Sequence, residues 1–211
     1  MTSYMNQRHP PPLGPDPRMV PGMLALPADW ESVFGRTAPL IVEIGSGSGR
    51  YLIGQAERHP ERDFIAIEQA GEYLNLMAKR VMKRALTNIR LFKTDGADLI
   101  ESCFPDACVH EYHIYHPDPW PKKRHHKRRL FSPDFCAQLR RTLAPDGVLF
   151  FATDHTDYFE DVQPRLREEL NITPHPEPWE DAPEGRTNYE IKYLKQGRPI
   201  HRLIGRRKTD G

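Results

Sequence analysis

The stretch LIVEIGSGSGR, Leu40–Arg50, decides the fold. Leu40 to Ile44 is a short apolar run interrupted only by Glu43. Gly45, Gly47 and Gly49 follow, separated by serines, and Arg50 to Arg58 reads as a helix. A strand, a glycine-rich turn and a helix in that order open a nucleotide-binding βαβ unit. Glycine lets the backbone turn tightly and approach a ligand with no Cβ in the way. The spacing is G-x-G-x-G and not the dinucleotide G-x-G-x-x-G. A plain surface turn is the competing reading; the position between strand and helix favours a ligand loop.

Downstream, the pattern repeats. Asp63 to Ile67 is a second strand, ending in Glu68. A carboxylate there has two acceptor oxygens and suits a ribose diol. Ala70 to Ala85 is a helix with Leu74, Met77, Val81 and Met82 on its apolar face. Asn88 to Phe92 is a third strand, followed by Asp95 and a short helix, Ala97 to Ser102. Acids therefore recur at three strand ends: Glu43, Glu68 and Asp95. Sheet ligands sit at the carboxyl ends of strands, so three acids on one edge point to a site for adenosine and an attached amino group.

Cys108 to Tyr115 is the fourth strand. His110, His113 and His116 recur every third residue, which suits neither face of a strand, so no metal is expected. The next segment, HPDPWPKKRHHKRR (His116–Arg129), has three prolines around Asp118 and Trp120 and then six Lys or Arg. The prolines exclude regular structure at its start. It reads as a rigid loop carrying one acid, one aromatic and a basic patch, suited to holding a polyanion against chemistry. His125 and His126 read as phosphate or surface donors. Beyond it come a helix over Leu130–Leu143, a turn at Asp146-Gly147, and a strand over Val148–Ala152 ending in Thr153-Asp154. A helix follows over Thr156–Leu170. Asn171–Trp179 is a proline-rich stretch with a possible short strand, and Glu177, Glu180, Asp181 and Glu184 make an acidic loop. Pro199–Gly205 is the closing strand.

The 211 residues suit one domain, with Met1–Pro27 as a flexible proline-rich arm and residues 28–211 as the folded body. Within Met1–Pro27, Arg8, His9 and Arg18 are candidate backbone contacts, and an untidy terminus is the plainer reading. Net charge is +1, yet Lys122–Arg129 alone carries +6, which leaves the rest at −5. That is a directed basic footprint on a slightly acidic body. Cys103, Cys108 and Cys136 show no metal-ligand spacing and read as buried thiols of a reducing, cytoplasmic setting. The polar, proline-rich start does not read as a signal peptide, and no apolar run approaches membrane-spanning length.

Taken in order, several blocks resemble the bacterial tRNA (guanine-N7)-methyltransferases of the TrmB type. They are Glu43–Gly49, Ile67-Glu68, Asp95, Pro117–Arg129, Ala152–Asp154 and Thr187–Glu190. The proline-tryptophan-basic block is the specific one. The resemblance implies a class I S-adenosylmethionine-dependent methyltransferase: a Rossmann-like α/β fold with a seven-stranded, mostly parallel sheet between two helix layers. It implies methylation of N7 of guanine 46 in the variable loop of tRNA, by a monomer or homodimer without metal. Glu43, Gly45, Gly47, Gly49, Glu68, Asp95 and Asp118 would hold the methyl donor. Asp118 and Asp154 would stand nearest the transfer. Lys122, Asp154, Thr187, Asn188, Tyr189 and Glu190 would meet the guanine or support its pocket. Lys123, Arg124, His125, His126, Lys127, Arg128 and Arg129 would grip the tRNA backbone. Tyr189 and Trp120 are the candidates for stacking on the base, with packing the alternative for each. His116 departs from the family, which usually has an aromatic or apolar residue there.

Overall fold

The computed structural model describes residues 14–175 and 187–208. Eight strands form one sheet: β1 (Arg18–Met19), β2 (Leu40–Ile44), β3 (Asp63–Ile67), β4 (Ile89–Phe92), β5 (Val109–Tyr115), β6 (Leu143–Thr153), β7 (Leu170–Pro174) and β8 (His201–Arg207). Their order is β1-β4-β3-β2-β5-β6-β8-β7. All neighbours are parallel except β8, which runs antiparallel to both β6 and β7. The helices are α1 (Trp30–Phe34), α2 (Arg50–Arg58), α3 (Gly71–Lys83), α4 (Gly96–Cys103), α5 (Pro133–Thr142), α6 (Thr156–Glu169) and α7 (Asn188–Lys195). This is the class I methyltransferase architecture.

Every residue of β2 and β3 is buried, because helices cover both faces of the sheet. Val42, Ile44, Ile65 and Ile67 pack with residues of α4, α5 and α6. Ile41, Phe64 and Ala66 face the other way, against α2 and α3. The chain builds outward from β2 through β3 to β4, then returns to place β5 on β2's other side. That reversal opens a crevice at the carboxyl ends of β2 and β5, where sheets of this kind bind ligands.

Local chemistry sets the element starts. Asp29, Asp95, Ser132 and Thr187 each accept a backbone N–H of the helix that follows. Ser132 and Pro133 at the first turn explain why α5 begins three residues later than the apolar pattern suggests. The turn expected at Asp146-Gly147 is instead absorbed into β6. Leu143 pairs with Val109 and Val148 with Glu111, so β6 carries an irregularity there.

The arm expected over residues 1–27 is docked in its later part. Arg18 and Met19 pair with Leu91 and Phe92, and the Gly14 N–H donates to the Met82 carbonyl at 2.8 Å. This two-residue edge strand makes eight strands where seven were expected. Arg8 and His9, and the acids Glu177, Glu180, Asp181 and Glu184, lie outside the described residues.

Candidate active site

The glycine loop leaves β2 with Gly45, Gly47 and Gly49 all in the left-handed region, at φ 77°, 53° and 74°. A Cβ at Gly45 or Gly47 would meet nothing within 4 Å, so both face an open cradle. Gly49 is different: a Cβ there would strike the Met77 side chain at 2.5 Å, so this glycine serves helix packing. Glu68, at the end of β3, is half-buried. Its Oε2 accepts the Gly47 N–H at 2.7 Å and its Oε1 the Ala70 N–H at 2.8 Å. Each oxygen keeps a lone pair for a further donor. Asp95 caps α4 through Oδ1 and accepts from Gln69 Nε2 at 2.6 Å through Oδ2.

Glu43 is enclosed, and burial, with the Glu68 charge adding to it, pushes its carboxyl up to about 8. The protonated form is therefore favoured at neutral pH. Its Oε2 has no hydrogen-bond partner among the described residues. An orphaned carboxyl oxygen, an open glycine cradle and two strand-end carboxylates form a donor set that fits S-adenosylmethionine, which carries an ammonium group and a ribose diol.

A polar chain beneath the loop was not legible in the sequence. His113 pairs in register with Glu43. Its Nε2 lies 3.0 Å from Glu111 Oε2, and Arg62 donates to the other Glu111 oxygen at 2.9 Å. The carboxylate fixes the imidazole proton on Nε2. Nδ1 then has one lone pair to offer, and the Tyr115 and Tyr51 hydroxyls lie 2.8 and 3.1 Å from it. His113 also stacks on Phe150 with ring centroids 4.9 Å apart. Tyr51 and Tyr115 wall the cleft above the glycine loop. The triplet His110, His113, His116 does not converge: His110 accepts the Leu40 N–H, and His116 sits beyond the strand end. Among the described residues no group of three or more potential ligands could hold a metal ion.

Thr187, Asn188 and Tyr189 close this cleft from above, and Asn188 Nδ2 donates to Ser48 Oγ at 3.0 Å. The space they leave over the glycine loop is about 40 Å3, smaller than S-adenosylmethionine, so seating the donor requires Thr187–Tyr189 to draw back from the loop. A larger cavity of about 340 Å3, lined by Trp30, Arg36, Asp63 and Cys108, lies where the strands begin, at the wrong end of the sheet for a ligand site of this fold. Glu190 does not reach the cleft. It is buried and paired with the equally buried Arg202, which ties α7 to β8.

At the end of β6, Asp154 stands between His116 and Arg198. His116 Nδ1 is 3.5 Å from Oδ1, and Arg198 Nη1 donates to Oδ2 at 2.8 Å. The His116 side chain is 3% exposed, and its backbone has φ 50°. Enclosure drives its imidazole below the ordinary value, against the pull of Asp154 and Glu190. Asp118, two residues on, is exposed.

The basic run is a 3-10 helix, Lys123–Arg128, and not the expected irregular loop. Lys122, Lys123, Arg124, Lys127 and Arg128 are exposed, while His125 and His126 are half-buried. Trp120 is spoken for: Arg128 lies over its ring at 4.9 Å and His125 meets it edge-on at 5.8 Å. It is a packing anchor for the basic helix. Arg129 must also be reassigned. It is buried, donates to Asp161 at 2.8 Å and to the Pro119 carbonyl at 2.9 Å, and lies over Tyr158. It braces the proline loop and has no surface to offer a tRNA backbone.

A family model described as "Putative methyltransferase" matches residues 37–203, well over half of the chain. The tRNA (guanine-N(7)-)-methyltransferase of Alkalilimnicola ehrlichii is 38% identical over 185 residues, covering 86% of this chain and 78% of that protein. The chain belongs to the tRNA (guanine-N7)-methyltransferase family. The family's protein from Leifsonia xyli subsp. xyli is 41% identical over 183 residues, covering 83% of this chain and 79% of its own. Among solved structures, the 16S rRNA methyltransferase KamB superposes with a TM-score of 0.66 at 15% identity, over 85% of this chain and 93% of that one. That likeness speaks for the fold alone. Glu43, Glu68, Asp95 and Asp154 stand at or just beyond the carboxyl ends of β2, β3, β4 and β6. Among the described residues no helix is long and apolar enough to cross a membrane.

Proposed function

We propose that this methyltransferase transfers a methyl group from S-adenosylmethionine to N7 of guanine 46 in the variable loop of tRNA. The observation that carries the reading is one of adjacency. An open glycine cradle with strand-end carboxylates lies on the same sheet edge as Asp154, and the chain joining them carries an exposed basic helix.

Glu68 would take the ribose diol and Asp95 the adenine side. Glu43 and Asp118 would face the amino-acid end, and Gly45 and Gly47 would let the backbone come close. When bound, the donor supplies an electrophilic methyl group on a positively charged sulfur. Guanine N7 has a lone pair and no proton, so no side chain must act as a base. The protein's work is therefore placement and charge. Asp154 would accept from the guanine N1–H and 2-amino group, and its negative charge would favour the cationic base as it forms. Lys122 would stand at the pocket mouth. Lys123, Arg124, His125, His126, Lys127 and Arg128 would hold phosphates and orient the loop.

Purified protein incubated with methyl-labelled S-adenosylmethionine and unmodified tRNA should yield labelled N7-methylguanosine on nuclease digestion. Calorimetry with the donor alone should show specific uptake. Uptake without label transfer would make the protein a binding module; label in another nucleoside would assign another base.

A further inference from the structure

Arg198 makes two contacts that a guanine would make. Its guanidinium donates to Asp154 Oδ2 at 2.8 Å, and its Cζ lies over the Tyr193 ring, 4.8 Å from the centroid. Guanine carries a guanidine unit within its own ring: C2 joined to N1, N3 and the exocyclic amine. Its N1–H and amino hydrogens form a planar donor edge like the arginine fork, and its face stacks on aromatic rings as a guanidinium does. A carboxylate at the edge and an aromatic at the face are thus already set around a guanidine-shaped group.

The surroundings favour a seat for a base over a structural brace. The chain has a brace of the same chemistry, in which Arg129 pairs with Asp161 over Tyr158, and there the arginine is buried. The Arg198 side chain is 51% exposed, while Asp154 is only 17% exposed. The carboxylate is fixed and the guanidinium is free to leave. An exposed pair of this kind is weak and easily displaced. His116 closes the back of the seat: its Nδ1 is 3.5 Å from Asp154 Oδ1 and its ring meets the Tyr193 ring edge-on at 5.2 Å. Tyr193 lies one turn along α7 from Tyr189, whose end of the helix walls the donor cleft. Four residues of helix rise about 6 Å, so the seat adjoins the donor site. A guanine held by its N1 and amino edge leaves N7, on the opposite side of the purine, free for the transfer.

We propose that Arg198 occupies the target guanine's seat in the free enzyme, and that Tyr193 is the ring on which the base stacks. This rests on the reading of the site as a guanine-N7 methyltransferase centre with Asp154 on the base. Arg198 swings aside when the base enters, which keeps Asp154 from standing unpaired beforehand. Tyr193, and neither Tyr189 nor Trp120, is the stacking residue.

The test measures single-turnover methyl transfer, donor affinity and the salt dependence of tRNA binding. Tyr193→Leu should slow transfer about tenfold or more with donor affinity unchanged, and Tyr193→Phe should recover most of the rate. Arg198→Ala should lower the KM for tRNA severalfold and leave the salt slope as it was, because the seat no longer has to be cleared. Weaker tRNA binding with a shallower slope in Arg198→Ala would make the arginine a phosphate contact and overturn the proposal. So would wild-type rates in Tyr193→Leu. If the unmodified enzyme methylates guanine N7 while these variants behave like it, the seat alone fails. If the unmodified enzyme moves no methyl to guanine, the parent reading fails and takes the seat with it.

Discussion

His116 holds a backbone conformation that favours glycine, and its enclosed ring has neither nitrogen in a proper hydrogen bond among the described residues. Its folded-state pKa lies below the ordinary 6.5. A base held neutral this way takes up a proton more readily in the unfolded chain. The stability it permits is complete above about pH 6.5 and is lost as pH falls from there toward the folded-state value. His116→Phe keeps a ring against Tyr193 and removes the titration. Denaturant melts of this variant should show about 1–3 kcal/mol more stability than the parent at pH 5.5 and a smaller difference at pH 8. A parallel pH dependence in both would clear His116 of the effect. The sequence marks this residue as out of place, and it names Glu43, Glu68, Asp95 and Asp154 because acids at strand ends are a one-dimensional signal. It cannot show that Glu43 is enclosed or that Arg129 is. Arg129 is enclosed by α6, some thirty residues on, and Glu43 by the way the chain folds back over its own glycine loop.

At the scale of elements, α7 depends on one buried pair for its place. Thr187 caps it and the Glu190–Arg202 pair anchors it under β8's flank. Both partners are desolvated, so removing one leaves the other stranded at a cost of about 3–5 kcal/mol. Glu190→Ala should lower the melting temperature and speed amide exchange along Asn188–Lys195 more than in β2 or β3. Uniform exchange across the fold would show that α7 is not a separately held unit. The βαβ rhythm was legible from periodicity for most of the sheet, since a short apolar run ending in an acid looks alike at β2 and β3. What escaped was β1, two residues with no pattern of their own, and the continuous β6, whose Asp146-Gly147 mimics a true turn. The 3-10 helix was hidden too, because its residues are all polar and the prolines before it speak only for irregularity.

Over the whole molecule, charge is sorted. The exposed cations of Lys123–Arg128 stand beside a proline loop that Arg129 and Trp120 hold in place. This gives two outcomes to neutralisation. Replacing Lys123, Arg124, Lys127 and Arg128 by alanine should leave the fold intact, weaken tRNA binding and flatten its salt dependence by about one unit of slope per lost phosphate contact. Arg129→Ala should instead cost about 1–3 kcal/mol of stability, because it leaves the Pro119 carbonyl without its donor and empties the space over Tyr158, while Arg165 still pairs with Asp161. Equal effects from both would mean the basic segment is one surface and the brace does not exist.

The most direct measurement uses two tRNA transcripts that differ only at position 46, one with guanine and one with adenine, each incubated with the enzyme and methyl-labelled donor. The account predicts label in the guanine transcript alone, recovered as N7-methylguanosine. Equal label in both transcripts, or none in either with the protein folded and donor bound, would contradict it.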